Sequence, residues 1–240
     1  SDVYKDGVLD LNVFAGDMPG HLNMEKMRKG GFGGGFFAIW VPSPIDLNSK
    51  NSQMNLPKYD LPLPPEISVD DALPIAMAQA AILHRLEQAD YLTICKTVDM
   101  IQTCLKNDKI AAVMHIEGAE PIDRDFFNLD MFQRAGLRSI GPLWSRSNRF
   151  GYGVPFRFPS SGDIGPGLSD DGKRLVRYCD ENGILIDLSH LNEAGFWDVA
   201  KQSSAPLVAT HSNAYAISPH ARNLTDRQLA AIAESDGMVG

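Results

Sequence analysis

The stretch ILIDLSH, residues 184–190, decides the fold class of this chain. Four of its seven residues are Ile or Leu, and Gly183 precedes it, which is typical of a central strand that is buried on both faces of a parallel sheet. Its carboxyl end is polar and finishes in Asp187, Ser189 and His190. Because ligands bind at the carboxyl ends of the strands in α/β sheets, this end of the stretch indicates a functional site.

Helices are predicted on both sides of this strand. Residues 170–182 have a helical pattern with Ser169 as the N-cap, and Asn192 caps a second helix that leads to PLVATHS, residues 206–212. The connection through this second helix has the length of a right-handed crossover. We therefore expect residues 206–212 to form a parallel neighbour of the first strand.

The rest of the chain repeats the alternation of strands and helices. Helical spacing runs from Ser68 to about Lys106 with one or two breaks, and Thr225 with Gln228 predicts a capping box on a late helix. Further strands are predicted at residues 36–42, 110–118, 137–144 and from 237, with another near residues 8–14.

This order predicts an α/β fold, a (β/α)₈ TIM-type barrel. No glycine-rich phosphate turn follows the first strand, as a doubly wound nucleotide-binding sheet would require. We expect a single barrel domain over residues 1–240, with a Pro-rich loop at about 43–66. A complete barrel needs about 250 residues, so the barrel is expected to be truncated at its C-terminus, and its completeness at the N-terminus stays open.

Composition excludes several classes of protein. The chain has 22 basic and 30 acidic residues and no basic stripe with interleaved aromatic residues, so a nucleic-acid partner is not expected. We find neither an apolar run of membrane-spanning length nor a signal-peptide pattern, which predicts a soluble protein and leaves cytoplasm and periplasm open. The odd number of cysteines argues against a disulfide framework; Cys95 and Cys104 are predicted on one helix and Cys179 on another, as core residues.

Three predicted strands end in residues that bind divalent metals. These residues are Glu117, His190 and His211, and the carboxyl ends of barrel strands meet at one mouth. Two imidazoles and a carboxylate suit Zn²⁺ or a similar ion, and a bridging carboxylate would permit a dinuclear hydrolytic centre. We interpret His115 as structural, and Asp187 as structural or as a support for a ligand, because a regular strand would place it on the face opposite to His190.

Several segments resemble one known family. HIEGAEPI, ILIDLSHLN, PLVATHSNA and HARNLTD, in this order and spacing, resemble the membrane dipeptidase (renal dipeptidase) family, zinc-dependent barrel hydrolases of the amidohydrolase type. The segment GHLNMEKMRKGGFGGGFFAIWVPSP is similar to the part of that family that leads into its second strand. The resemblance covers residues 20–240, and its motifs taken together are specific.

The resemblance implies a metal-dependent dipeptidase in which a hydroxide bridging two zinc ions attacks the peptide bond of a dipeptide. Glu117 would be the catalytic carboxylate that bridges the two ions, and His190 and His211 would be ligands of the second ion. Arg222 would hold the carboxylate of the substrate, a role that suits a bidentate guanidinium. A homodimer is left open.

The sequence departs from the family at the first metal site. The family carries an H-x-D pair there; either Val8 replaces the histidine and Asp10 is retained as a ligand, or the pair lies upstream of Ser1. Trp144 stands where many members have a histidine and is expected to shape the substrate pocket, and the family's catalytic aspartate would lie beyond Gly240.

Two other functions stay open at this point. The same centre could hydrolyse another small amide, such as a lactam or an N-acyl amino acid. Alternatively, the protein could be a non-catalytic homologue that has lost its first metal site.

Overall fold

A computed structural model of the chain describes residues 4–5, 8–16, 22–43 and 53–240. They divide into two compact units: unit 1 is Ser1–Phe37 with Met77–Met114, and unit 2 is Ala38–Ala76 with His115–Gly240. In chain order the strands are β1 (Tyr4–Lys5), β2 (Val8–Leu9), β3 (Gly34–Trp40), β4 (Tyr59–Leu61), β5 (Thr93–Ile94), β6 (Ala111–Glu117), β7 (Leu137–Gly141), β8 (Phe156–Phe158), β9 (Leu185–Ile186), β10 (Val208–Ala209) and β11 (Met238–Val239).

The helices alternate with these strands through most of the chain. They are α1 (Asn12–Ala15), α2 (Met24–Lys29), α3 (Val69–Gln88), α4 (Val98–Lys106), α5 (Phe127–Ala135), α6 (Asp170–Asn182), α7 (Glu193–Gln202) and α8 (Asp226–Glu234). In the part of the chain that the structure describes, no helix is both long and apolar enough to cross a membrane.

Within unit 1, β5 pairs with β6 in parallel register, Thr93 with Ala111 and Ile94 with Ala112. β7 and β9 are also parallel neighbours, and the pairs Ser139–Leu185 and Ile140–Ile186 set their register. The predicted parallel neighbour of ILIDLSH is confirmed, because Asp187 bridges Val208 in parallel. The predicted α/β class is confirmed by this alternation of parallel strands and helices.

The helices begin and end at local signals in the sequence. The side chain of Ser169 caps α6, Gly183 ends this helix with a left-handed φ of 63°, and Asn192 caps α7, all as predicted. The helices therefore begin and end where short polar side chains and glycine satisfy the free backbone groups.

Two predictions are wrong, for the strand near residues 8–14 and for the placement of Cys95. The strand expected near residues 8–14 ends at Leu9, because the Asp10 carboxylate accepts the backbone N–H of Asn12 and a short helix begins there. The helical region predicted from Ser68 to about Lys106 with one or two breaks is confirmed as α3 and α4, and β5 lies in the break between them. Cys95 follows β5 instead of lying on a helix, so its predicted placement is wrong. All three cysteines are buried free thiols, as expected for core residues.

The Pro-rich loop predicted at 43–66 contains regular structure. Residues 44–52 lie outside the described residues. Tyr59–Leu61 form β4, which pairs antiparallel with β8. The loop prediction is therefore wrong for β4, because the long-range pairing with β8 cannot be read from a segment rich in proline.

Replacing Thr225 by Ala is expected to lower the free energy of unfolding by about 1 kcal/mol, the typical worth of an N-cap side chain. Thr225 and Gln228 form the predicted capping box on α8: the hydroxyl accepts from Gln228 N–H, and the Gln228 side chain accepts from Thr225 N–H at 2.9 Å. Urea denaturation measures the effect. Thr225→Ser keeps the hydroxyl and should retain most of the stability; equal losses in both variants would contradict the capping role.

Candidate metal centre

Glu117, His190 and His211 meet at the ends of three strands of unit 2. The Nε2 atom of His190 lies 3.0 Å from Glu117 Oε1 and 3.1 Å from His211 Nε2, and His211 Nε2 lies 3.2 Å from the same carboxylate oxygen. Within the described residues they form the one group of three or more His, Cys, Asp or Glu side chains arranged to hold a metal ion.

The local backbone turns away from the strands at two of these residues. Glu117 is the last residue of β6, and Gly118 follows with a φ of 90°; a Cβ there would lie 2.4 Å from the Glu120 carboxylate, so this turn requires glycine. His190 has a φ of 71°, an uncommon value for a residue other than glycine and one often seen at functional sites.

Hydroxyl groups contact the outer nitrogens of both histidines. His190 Nδ1 lies 3.0 Å from Ser145 Oγ, and His211 Nδ1 lies 2.8 Å from Thr210 Oγ1. Such contacts fix the orientation of the rings of ligand histidines and favour Nε2 as the ligand atom. Neither Ser145 nor Thr210 was proposed from the sequence, although Thr210 directly precedes a predicted ligand.

The Asp187 carboxylate binds the residues that directly precede His190 and His211. Its buried carboxylate accepts the backbone N–H groups of Ser189 and Thr210 and the Thr210 hydroxyl, the last at 2.6 Å, and lies 3.8 Å from His211 Nδ1. The expectation that Asp187 and His190 lie on opposite faces of one strand is wrong, because regular pairing ends before the chain turns at His190. Asp187 thus holds the segment that carries His211.

His115 lies deeper in the same unit. It is buried, its Nδ1 lies 2.9 Å from Ser139 Oγ and its Nε2 lies 3.7 Å from the Asp187 carboxylate. Burial lowers the pKa of His115, so a neutral ring is favoured. The structural interpretation of His115 agrees with this placement.

The charge states of Glu117 and His190 are those of metal ligands. Burial alone would raise the pKa of Glu117, but the contacts with His190 and His211 outweigh it and hold this pKa well below its usual range. Burial lowers the pKa of His190 to about 4, so this imidazole is neutral at physiological pH. A carboxylate and a neutral imidazole are the protonation states in which these side chains bind metals.

The donor set fits a divalent cation. Ligand atoms at Zn–N distances of about 2.0–2.1 Å in a tetrahedral site lie about 3.3 Å apart. The three donor atoms here are separated by 3.0, 3.1 and 3.2 Å, and two of them are Nε2 atoms whose rings are backed by hydroxyls. Glu117 uses Oε1 for both contacts, so its second oxygen is available to another ion.

Arg222 lies beside the cluster. Its Nη2 donates to the backbone carbonyl of His211 at 3.1 Å, while its buried Nη1 has no hydrogen-bond partner within the described residues. Burial lowers the pKa of Arg222 to about 10, which still leaves the guanidinium positive at neutral pH. A buried guanidinium N–H without a partner is costly unless an anion binds it.

Trp144 lies within an aromatic wall next to His190. Its ring is 6.0 Å from the His190 ring, 5.1 Å from Trp40 and 5.7 Å from Phe156. This placement agrees with a pocket-shaping role but brings no second basic nitrogen to the site.

Arg146 connects the loops that surround Trp144. It is fully buried and donates to the Glu120 carboxylate at 2.7 Å, to the carbonyl of Val41 at 2.7 Å and to the hydroxyl of Ser43 at 2.8 Å, and its guanidinium lies over the Trp144 ring. The ion pair of Arg146 with Glu120 was not predicted from the sequence, because an Arg in a polar loop resembles an ordinary surface residue.

Asp10, the remaining ligand suggested by the sequence, belongs to unit 1 and is not among the three clustered residues. Its side chain is exposed and accepts the backbone N–H of Asn12, the first residue of α1. The role of Asp10 at a first metal site stays a prediction.

A carboxylate and two histidines gathered at the strand ends of a parallel α/β fold are the kind of ligand set found in metal-dependent hydrolases of the TIM-barrel type. Residues 4–240 match the family described as membrane dipeptidase, peptidase family M19. The chain therefore belongs to this metallopeptidase family, and the resemblance seen in its motifs is confirmed.

Similarities to individual proteins support this family assignment. The chain is similar to a metallopeptidase from Rhodobacter sphaeroides, solved with a phosphinate mimic of the dipeptide L-Ala-D-Ala, with 49% identity and a TM-score of 0.91. It is also similar to the dipeptidase AC, a metallopeptidase of family M19, with 49% identity and a TM-score of 0.90; each match covers 99% of this chain and 66% of the solved chain. A protein from the PQQ-III 3′ region of Acinetobacter calcoaceticus is 42% identical over 92% of this chain and 69% of its own length. The chain thus spans about two thirds of these relatives.

Proposed function

We propose that the protein hydrolyses dipeptides in a metal-dependent reaction at Glu117, His190 and His211. The convergence of these three donors on one point carries this proposal, because two imidazole Nε2 atoms and one carboxylate oxygen lie within 3.2 Å of one another. The similar Rhodobacter sphaeroides enzyme was solved with a mimic of L-Ala-D-Ala, so this dipeptide is the first substrate to test.

We propose zinc as the metal, with two ions, one of them bound by His190, His211 and Glu117. The nitrogen-rich donor set favours Zn²⁺ over Mg²⁺ or Ca²⁺, which prefer oxygen ligands. Glu117 would bridge to a second ion through its other oxygen. A bound metal of this kind supplies an acidified water and polarises the carbonyl that is attacked.

The residues of the chain would place the substrate. Arg222 would bind the C-terminal carboxylate through the Nη1 group that has no partner among the described residues. Trp144, Trp40 and Phe156 would form an apolar wall that limits the size of the peptide and keeps water away. Because Arg222 and His211 are held together, the scissile bond of a short peptide would reach the donors while its carboxylate is bound.

A substrate panel tests this function. L-Ala-D-Ala and L-Ala-L-Ala are compared with N-acetylalanine and a simple lactam, using the whole protein loaded with zinc. We expect kcat/KM for at least one dipeptide to exceed that for the other amides by about 100-fold or more, about 3 kcal/mol of transition-state binding. Preference for an N-acyl amino acid or a lactam would indicate the other amidohydrolase function, and loss of all hydrolysis despite bound metal would indicate a non-catalytic homologue.

Metal content tests the cofactor assignment in the same preparation. We expect close to two zinc ions per chain by elemental analysis, and about one ion in His190→Ala or His211→Ala, since each variant loses a ligand of one site. A wild-type value near one would contradict the second ion.

A further inference from the structure

A two-stranded ribbon of unit 2 contacts the loop that carries Arg222. The ribbon is β4 with β8, in which Tyr59 pairs with Phe158, Asp60 with Arg157, and Leu61 with Phe156. Because side chains alternate along a strand, Tyr59, Leu61, Phe156 and Phe158 share the face opposite to Asp60 and Arg157. Asp60 and Arg157 form an exposed ion pair at 2.7 Å, so their face is the outer one and the opposite face packs against the protein.

The inner face of the ribbon contacts His220, two residues before Arg222. The Phe158 ring stacks on the His220 ring with centroids 6.1 Å apart, and Tyr59 Oη lies 3.1 Å from His220 Nε2. Ser160, two residues after the ribbon, adds two bonds: its N–H donates to the Pro219 carbonyl, and Ala221 N–H donates to its hydroxyl. The arginine loop is thus attached to the ribbon on both sides of His220.

The protonation of His220 follows from its two partners. Its Nδ1 accepts the backbone N–H of Arg222 at 3.0 Å, so Nδ1 carries no proton and Nε2 carries it in the neutral ring. Nε2–H can then donate to the Tyr59 hydroxyl. Burial, and next the charge of Arg222, lower the pKa of His220, which agrees with the neutral ring that both hydrogen bonds require.

We propose that His220, held by Tyr59, is a positioning residue that fixes Arg222 for recognition of the substrate carboxylate. Arg222 is held at two places: His220 binds its backbone N–H, and the His211 carbonyl binds its Nη2. The inference rests on the proposed function, since Arg222 must bind a carboxylate for its position to matter. Groups fixed before the substrate arrives bind it without a further ordering cost.

Three variants separate this role from a general structural one. His220→Phe keeps a stacking ring but removes both nitrogens. His220→Asn keeps an oxygen that can accept the backbone N–H two residues ahead, in the manner of an Asx turn, and Tyr59→Phe removes the hydroxyl alone. Asp60→Asn, on the outer face of the ribbon, is the matched control.

The readout is the KM for a free dipeptide compared with its C-terminally amidated form, together with zinc content. We expect His220→Phe to raise KM for the free dipeptide about threefold to tenfold, the factor that one or two hydrogen bonds are worth, with kcat and the amide little changed. Tyr59→Phe should raise this KM about twofold to threefold. His220→Asn should avoid most of the loss seen in His220→Phe, and Asp60→Asn should leave KM at the wild-type value. Zinc content should not change.

Distinct outcomes would overturn the inference or the function beneath it. If the wild type prefers free dipeptides and Arg222→Ala removes that preference, but His220→Phe and Tyr59→Phe leave it intact, the positioning role is wrong. If the wild type hydrolyses no dipeptide, the proposed function itself fails. Should His220→Phe not fold, Tyr59→Phe decides: equal KM changes for the free and the amidated dipeptide, or none, would contradict the proposal.

Discussion

Dipeptide hydrolysis is expected to fall below about 1% when bound metal is removed, because a bound ion lowers the pKa of water from 15.7 to about 7 and no described side chain near the site can replace that effect. Dialysis against a chelator, followed by assay with L-Ala-D-Ala, measures the loss, and added Zn²⁺ should restore activity. Circular dichroism before and after chelation separates loss of catalysis from loss of fold. Full activity in a sample shown to be free of metal would refute the mechanism.

Glu117, one of the proposed ligands, can be tested by itself. Glu117→Gln keeps the size of the side chain but removes its charge, so metal affinity and activity should each fall by at least about 100-fold, the upper range for residues that only support a ligand. Glu66→Gln, which changes a carboxylate outside the cluster, is the matched control and should behave as the wild type. A Glu117→Gln protein with wild-type zinc content would show that Glu117 is not a ligand.

Arg222→Ala is expected to raise the KM for free dipeptides by about 10-fold to 100-fold, the worth of one charge-assisted hydrogen bond or a pair of them. The amidated dipeptide has no carboxylate, so its KM should change by less than about threefold. Steady-state kinetics on both substrates measures the difference.

Arg222→Lys is the matched control for the shape of this contact. Lysine keeps the positive charge but not the planar fork, so it should recover only part of the affinity for the carboxylate. Equal effects of Arg222→Ala on free and amidated dipeptides would remove the carboxylate assignment and leave Arg222 with its contact to the His211 carbonyl.

Much of the fold could be predicted from patterns of neighbouring residues. The caps at Ser169, Asn192 and Thr225 and the stop at Gly183 are confirmed, because each depends on a side chain or a φ angle within a few residues. β4 and β5 were missed, since each is only two or three residues long and is stabilised by a partner strand distant in sequence. Short strands carry too little periodicity to be recognised alone.

The candidate site was predicted in part. The strand-end positions of Glu117, His190 and His211 led to the expectation that they would meet, and the structure places their donor atoms together; their role as ligands remains a prediction. The supporting positions of Ser145 and Thr210 could not be predicted, because they depend on the backbone turn at His190 and on contacts between separate strands.

By itself, the sequence determined the α/β class, the helix ends and the family, because periodicity, caps and motifs are properties of nearby residues. Only the tertiary structure decided which distant groups meet: Tyr59 reaches His220 across 161 positions, and Arg146 reaches Val41 across 105. Such contacts arise when the chain buries its apolar surface and each polar group taken inside must find a partner. The sequence shows which polar groups are present, but it does not show which of them pair with one another in the folded chain.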